Sequence, residues 1–353
     1  MTDDQPVIDD GDLRLRPWSS TDVDPTVGLH DELIARWFDV PRAPPTREHH
    51  AAWVETNRAE WDDRRRKVTF LVEWRGEAVG SVDVRRRSDG VGVLSWITYA
   101  PYRGRGLASR AVRLLVDWAF TELGYRRVEA EVNPLNRASL RTAMRAGLRR
   151  EGLLRGNTTL DGQPHDTVVL ARLAGDPAPG TREGFTAMLD SSLPTKRAIG
   201  QGLLRDDTGR VLLCEPVYKR DWDLPGGVVD PGESPAHCVA REVREELTLD
   251  LTVGELLAVN WLPPYLGWGD ATTFVFDLGT VDASLLSRAV LQEREIRAVH
   301  WVGDGDWRGR VAPYNEQLLS ALATRTSGTL YLEDGRVPGT DGDVDADSDG
   351  GDD

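Results

Sequence analysis

Three carboxylates crowd into one short stretch, GGVVDPGESPAHCVAREVREELTL, residues 226–249: Glu242, Glu245 and Glu246. Like charges this close repel, so a cation is expected to offset them. Residues 236–247 read as a helix, with Pro235 near its start, where proline is tolerated. On a helix the three glutamates fall at i, i+3 and i+4 and share one face. Cys238, Val239 and Val243 supply an apolar side. Gly226 and Gly227 allow backbone angles that other residues avoid and let carbonyls or phosphates come close. Mg²⁺ prefers such an oxygen set, with phosphate oxygens and water completing its octahedron. The chemistry that suits this arrangement is metal-assisted attack of water on a pyrophosphate. The plainer alternative is a solvated acidic face partnered by Arg241 and Arg244.

The wider pattern decides between them. Gly227, Glu233, Arg241, Glu242, Glu245 and Glu246 stand in the order and spacing of the Nudix box, which this stretch resembles. A chance match of these positions is on the order of one in ten thousand per chain, given average composition. The resemblance implies an α/β/α sandwich that hydrolyses a nucleoside diphosphate linked to another moiety. It implies Glu242, Glu245 and Glu246 as catalytic ligands of Mg²⁺ or Mn²⁺, with the Gly226 or Gly227 carbonyl adding a ligand. It further implies Glu233 and Arg241 as the pair that holds the loop to the helix. The base is left open among the helix glutamates, Glu293 and Glu295. Thr248 stands where the family usually has a glycine that ends the helix left-handed. A β-branched residue there costs roughly 1 kcal/mol or more, or ends the helix differently. Pro264 lies near a proline of ADP-ribose-type members, but in WLPPYLGWG it reads better as a plain loop residue.

A second stretch, SWITYAPYRGRGLASRAV, runs from strand through a Gly/Arg loop into a helix. Arg103, Gly104, Arg105, Gly106, Leu107 and Ala108 fit R-x-x-G-x-A. Backbone N–H groups at a helix start, aided by the helix dipole, bind phosphate well. Downstream come VEAEVNPLNRASLRTAMRAGLRREGLLR and LDGQPHDTVVLARL. Together these segments resemble the GNAT acetyltransferases over residues 12–173, nearer the subgroup that acetylates ribosomal-protein N-termini. The implied fold is a mixed sheet with helices on both faces, splayed to admit acetyl-CoA as cosubstrate. By position, the amides of residues 103–108 would cradle the CoA pyrophosphate, and Asn136 would contact the pantetheine or acetyl region. Many members protonate the leaving thiolate with a tyrosine where this chain has Ala143. In the nearer subgroup a serine does this, and Ser139 matches it; its plainer role is local hydrogen bonding at a helix start. No base is named, and structural hydrogen bonding is expected of His165 and Asp166.

The elements that must position these residues follow from periodicity. In the first half, strands are expected at 13–18, 68–74, 78–86, 91–98, 127–132 and 167–173, with helical stretches between 22 and 66 and helices at 107–123 and 138–146. In the second half, strands are expected at 198–205, 211–214, 256–261 and 272–276, with a closing helix at 314–324. The Gly/Pro-rich AGDPAPGTREG at 174–184 lacks periodicity and reads as part of a linker. The expected organisation is an acetyltransferase-like domain at 12–174, a linker at 175–194, a hydrolase domain at 195–330 and a disordered acidic tail at 331–353. The fold class is α/β (α+β): a GNAT mixed-sheet domain, a Nudix sandwich, then the tail.

Bulk composition agrees. A chain of 353 residues suits two cores rather than one. Formal net charge is −15, and residues from Glu333 onward hold nine acids against one Arg. A negative body argues against general nucleic-acid binding. No apolar run is long enough to span a membrane, and the acidic start does not read as a signal peptide. Cys214 and Cys238 are the only cysteines, which excludes a disulfide framework and fits the cytoplasm. Asp345, Asp347, Asp349 and Gly350 fit only the opening of a calcium loop. His49 and His50 read as surface residues. The expected partners are a nucleotide and an amine or peptide acetyl acceptor. The expected function is bifunctional. The alternatives are a first half that only senses acetyl-CoA or docks a protein, and a second half that senses a nucleotide to regulate the first.

Overall fold

The computed structural model describes residues 4–63, 66–264 and 267–339. It divides into two compact units between Leu193 and Pro194.

The first unit is built on an eight-stranded sheet. Its strands are β1 (Ile8–Asp10), β2 (Leu13–Arg16), β3 (Lys67–Trp74), β4 (Glu77–Ser88), β5 (Val91–Thr98), β6 (Arg127–Val132), β7 (Arg149–Leu160) and β8 (Gln163–Leu173), in the order β1-β2-β3-β4-β5-β6-β8-β7. The helices are α1 (Val23–Val27), α2 (Glu32–Phe38), α3 (Arg47–Ala59), α4 (Leu107–Thr121), α5 (Arg137–Arg145) and α6 (Arg182–Ser192). Among the described residues of this sheet only β5 and β6 run parallel, and α4 makes the crossover such a pair requires. The main core sets Leu107, Ala111, Val112, Leu115 and Val116 of α4 against Leu13, Leu15, Val82, Val84 and Leu94 of the sheet. Trp18, Val23, Val54 and Leu71 form a smaller cluster that ties α1 and α3 to the sheet. β3 is buried through all its central residues, because both its faces are covered.

The pairing of β5 with β6 is short. It joins Val91–Val93 to Arg127–Glu129 and then stops, although both strands continue. Beyond Val93 the two strands part, and the sheet opens where β5 runs into the Gly/Arg loop.

The second unit carries β9 (Arg197–Asp206), β10 (Val211–Pro216), β11 (Gly226–Val228), β12 (Leu256–Leu262), β13 (Ala271–Val281), β14 (Ile296–Val302) and β15 (Leu330–Glu333), with α7 (Pro235–Leu247) and α8 (Pro313–Thr324). The sheet order is β14-β10-β9-β13-β12-β15, with β11 on β9. β9/β13 and β12/β15 are parallel and the other pairs antiparallel. Alternation along β9 separates two cores. Leu203 joins Val275, Leu318, Leu319 and Leu322 under α8. Leu204 joins Val239, Val243 and Leu247 under α7. The result is the α/β/α sandwich.

Two expected boundaries differ. Residues 175–194 hold the capped helix α6, whose Thr181 hydroxyl accepts from Gly184 N at 3.1 Å. Phe185, 53% exposed, leaves α6 without the apolar stripe that signals a helix in sequence. β15 straddles the expected start of the tail, and its Leu332 is fully buried. An isolated four-residue strand next to an acidic run has no signal of its own; it exists because β12 offers an edge. The calcium-like aspartates at 345–349 and the rest of the tail lie outside the described residues. Nor does periodicity predict β1, β7, β11 or β14. β7 is exposed along nearly all its length, so no alternation marks it. Among the described residues, no helix is long and apolar enough to cross a membrane.

Candidate functional site

The acidic site begins with two glycines, of which Gly226 admits no side chain. Gly226 has φ of 143°, and a Cβ there would lie 2.1 Å from the Gly200 carbonyl oxygen. A Cβ on Gly227 would lie 2.4 Å from Oε1 of Glu242. Gly202 N donates to Pro225 O and Val229 N to Ala198 O, both at 2.9 Å. Antiparallel alternation then turns the N–H and carbonyl of Gly226 away from β9, toward α7. Gly226 N accordingly donates to Oε2 of Glu246 at 3.2 Å.

α7 starts at Ser234, whose hydroxyl accepts from His237 N at 3.3 Å, with Pro235 in its first turn. It ends at Thr248, in the left-handed conformation with φ 56° and ψ 33°. The family's left-handed ending is thus kept without its glycine. The Thr248 hydroxyl donates to Val290 O at 2.9 Å, which offsets the strain and ties the helix end to residues 290–292.

Arg241 organises the acids. Its guanidinium holds both oxygens of Glu233 at 2.9 Å and pulls that carboxyl down to about 2. The Arg241 Nη1 also donates to Glu242 at 2.8 Å and Glu245 at 3.1 Å. Glu246 lies deeper, 7% exposed, and takes none of the Arg241 bonds. Burial pushes its carboxyl up to about 8, the Gly226 amide works against this, and the charges of Glu242, Asp223 and Glu295 add to it. Burial also raises Glu242. Of the two later acids singled out in the sequence, the charge of Glu295 acts on this cluster. Sequence reasoning missed Asp223. Its carboxylate accepts from Gln201 at 2.6 Å, Asn315 at 2.8 Å and Lys219. Its signal was its place just before the glycines, in DWDLPGG. Among the described residues no three His, Cys, Asp or Glu side chains converge on a metal position. Arg241 occupies Glu242 and Glu245 instead.

The second site lies in the first unit, where β5 and β6 part. Gly104 and Gly106 both have φ of 77°, so the loop needs glycine twice. Gly106 caps α4 without a side chain. The first amides of a helix have no intrahelical partner, and those of Leu107, Ala108 and Ser109 find none elsewhere among the described residues. Arg103 serves the loop structurally. It donates to Thr98 O at 2.9 Å and, through both Nη atoms, to Asp31 at 2.6 and 3.0 Å. Asp31 is itself the N-cap of α2. Arg105 donates to Pro101 O at 3.2 Å.

A cavity of about 270 Å³ opens on this loop, and Gly104, Gly106, Leu107, Ala108, Asn136 and Ser139 line it. Asn136 caps α5 by accepting from Ser139 N at 3.1 Å. The Ser139 hydroxyl has no hydrogen-bond partner among the described residues. Ala143 is fully buried in the core, so α5 presents Ser139 and not position 143 to the cavity. Asp166 accepts from Gly156 N at 2.9 Å in the β7–β8 hairpin, away from this cavity. His50 is not a plain surface residue. It stacks on Trp53 at 5.7 Å and its Nε2 meets the Thr26 hydroxyl at 2.6 Å.

Comparison with known proteins agrees with both domain assignments. The sequence profile of the acetyltransferase (GNAT) domain matches residues 12–149, and that of the NUDIX domain matches residues 195–319. A probable N-acetyltransferase of Bacillus subtilis, YjcK, is 44% identical over 175 residues, 46% of this chain and 95% of that protein. The nucleoside triphosphatase NudI of Escherichia coli is 28% identical over 150 residues, 38% of this chain and 99% of that protein. A solved ribosomal L7/L12 alpha-N-protein acetyltransferase, RimL, in complex with coenzyme A, is 20% identical over 48% of this chain and 98% of its own, with a TM-score of 0.45. The chain belongs to the GNAT acetyltransferases through its first unit and carries a Nudix hydrolase domain in its second, joining two kinds of enzyme in one polypeptide.

Proposed function

We propose that both units turn over, on separate substrates: the first transfers acetyl from acetyl-CoA to an amine or peptide N-terminus, and the second hydrolyses a nucleoside diphosphate linked to another moiety. The observation that carries the hydrolase half is the buried, cation-poor Glu246 beside the glycine strand. Burying a carboxylate without a counter-charge is costly, and Mg²⁺ or Mn²⁺ would relieve that cost. The donors are hard oxygens, as these ions prefer: Glu242, Glu246 and the Gly226 carbonyl, which faces the same side as the amide bonded to Glu246. Glu245 would join once Arg241 releases it. Bound there, the ion would polarise the pyrophosphate and lower the pKa of a water. Glu233 and Arg241 hold the loop on the helix throughout. Glu295, whose charge acts on Glu246, would be the later acid that takes a proton.

In the acetyltransferase half, the unpaired amides from Gly104 to Ser109 would receive the CoA pyrophosphate. Asn136 would face the pantetheine, and the free Ser139 hydroxyl would protonate the leaving thiolate. No side chain on the loop needs to touch phosphate, since Arg103 is already committed to Asp31.

The test uses the purified chain with Mg²⁺ and a panel of 8-oxo-dGTP, ordinary NTPs, ADP-ribose, NADH, diadenosine polyphosphates and CoA, beside an acetyl-transfer assay. Glu246→Gln should abolish hydrolysis and spare transfer; Gly106→Trp should do the reverse. Loss of both activities in either variant would count against independent sites.

A further inference from the structure

The acetyltransferase half contains a second, larger chamber that nothing above assigns. It measures about 660 Å³, within the range of small-molecule sites. It shares Ile34, Phe38, Trp96 and Ile97 with the cavity at the Gly/Arg loop, so the two meet across one wall. Much of the remaining wall is apolar, with Pro41, Pro44, Pro45, Trp53 and Tyr99, while Lys67, Arg85, His30, His49 and His50 also line it. One carboxylate interrupts it. Asp83 lies between Val82 and Val84 on β4, and strand alternation sends those valines to the main core and Asp83 to the opposite face. Its Oδ1 is buried with no hydrogen-bond partner among the described residues. Arg85 approaches at 3.4 Å, without hydrogen-bond geometry.

Resting on the acetyltransferase reading above, we propose that this chamber binds the acetyl acceptor, a primary amine carried on an apolar body, and that Asp83 receives the amine's proton. Asp83 has Arg85 as an ion-pair partner at 3.4 Å, and each of the two nearby cations also has another partner. Lys67 of β3 is held by Glu60 at 3.0 Å and Asn57 at 2.9 Å. Arg85 donates to Ser95 of β5 at 2.7 Å. His49 and His50 of α3 line the chamber, and His50 is engaged with Thr26. Burial raises the Asp83 carboxyl to about 6, against the pull of Arg85 and Lys67 and with some help from Glu60. It is therefore ionised at neutral pH yet basic enough to accept a proton.

The step balances. The ammonium gives one proton to Asp83. The freed lone pair attacks the thioester carbonyl carbon, the N–C bond forms, and the C–S bond breaks with its electrons leaving on sulfur. The nitrogen's second proton reaches the thiolate through the Ser139 hydroxyl, and Asp83 returns its proton to solvent. Two sources could present such an amine: a small molecule, or a peptide whose first side chain is apolar.

The experiment measures acetyl transfer by the full chain to phenethylamine, a Phe-initiated tripeptide amide, ethanolamine and a Ser-initiated tripeptide amide. At least one of the first pair should exceed both of the second pair in kcat/KM by about 50-fold, the burial of an aromatic ring; which one exceeds names the source. Asp83→Asn should lower kcat/KM by about 100-fold or more, with acetyl-CoA affinity by calorimetry within about two-fold. The wild-type profile should rise through about pH 6, and this limb should vanish in the variant. Ala43→Phe, on the exposed loop lining the chamber, should raise acceptor KM and leave acetyl-CoA binding alone, which keeps the test alive if Asp83→Asn misfolds. Equal turnover of polar and apolar acceptors, or full activity in Asp83→Asn, overturns the proposal and leaves the acetyltransferase reading standing. Failure to bind acetyl-CoA at all overturns both.

Discussion

Under the proposed function the two sites would deal with phosphate in opposite ways. On α7 the side chains do the work: Glu246 is buried among other acids, and the nearest guanidinium is committed to Glu233. On the Gly/Arg loop the backbone does it: the amides are open while Arg103 is spent on Asp31. The first site is a concentration of charge that waits for a cation. The second is a conformation that offers fixed dipoles. Replacing a residue type should therefore break the first, and replacing a backbone angle should break the second.

The largest effect is expected at Glu246. Glu246→Gln should cut hydrolysis by about 10³-fold, while circular dichroism stays unchanged. Gly106→Trp should follow, weakening acetyl-CoA by about 100-fold in a calorimetric titration, because φ of 77° and the approach of pyrophosphate both exclude a side chain. Arg103→Lys should weaken it only about ten-fold, since one ammonium cannot reproduce the forked pair with Asp31. If Arg103→Lys matched Gly106→Trp, the loop would be a side-chain site after all.

Metal-free stability sharpens the contrast. Glu246 is raised in the folded state to about 8. A raised carboxyl favours folding fully below its unfolded value, and that contribution is lost as pH rises from about 4.5 to about 8. Without metal, Glu246→Gln should then melt higher than the wild type at pH 8, by on the order of 3 °C, and no higher at pH 4. Saturating Mg²⁺ should raise the wild type and not the variant. The smallest effect is expected at Thr248. Thr248→Val keeps the strained backbone but loses the hydrogen bond to Val290, costing about 1 kcal/mol in denaturant melts.

Much of this was legible in advance. The spacing of Glu242, Glu245 and Glu246 marked α7, and the Gly/Arg run marked the loop before α4, because each pattern depends on chemistry local to the chain. β5 and β6 had their bounds readable from apolar runs between turn residues. Elements without a buried stripe were not readable. β7 and α6 are exposed where a pattern would have shown, and β15 depends on an edge supplied by a strand some seventy residues earlier.

The same division separates the sites. Local spacing determined which residues could ligate a cation and which amides could face a phosphate. It could not say that Arg241 would take Glu242 and Glu245 together, that Asp223 and Glu295 would add their charge to Glu246, or that Arg103 would be claimed by Asp31. Nor could it put Asp83 in a largely apolar chamber built from α1, α2, α3, β3, β4 and β5. Burial and charge at a point depend on every element that packs there, and distant parts of the chain meet only once the sheets and helices have assembled.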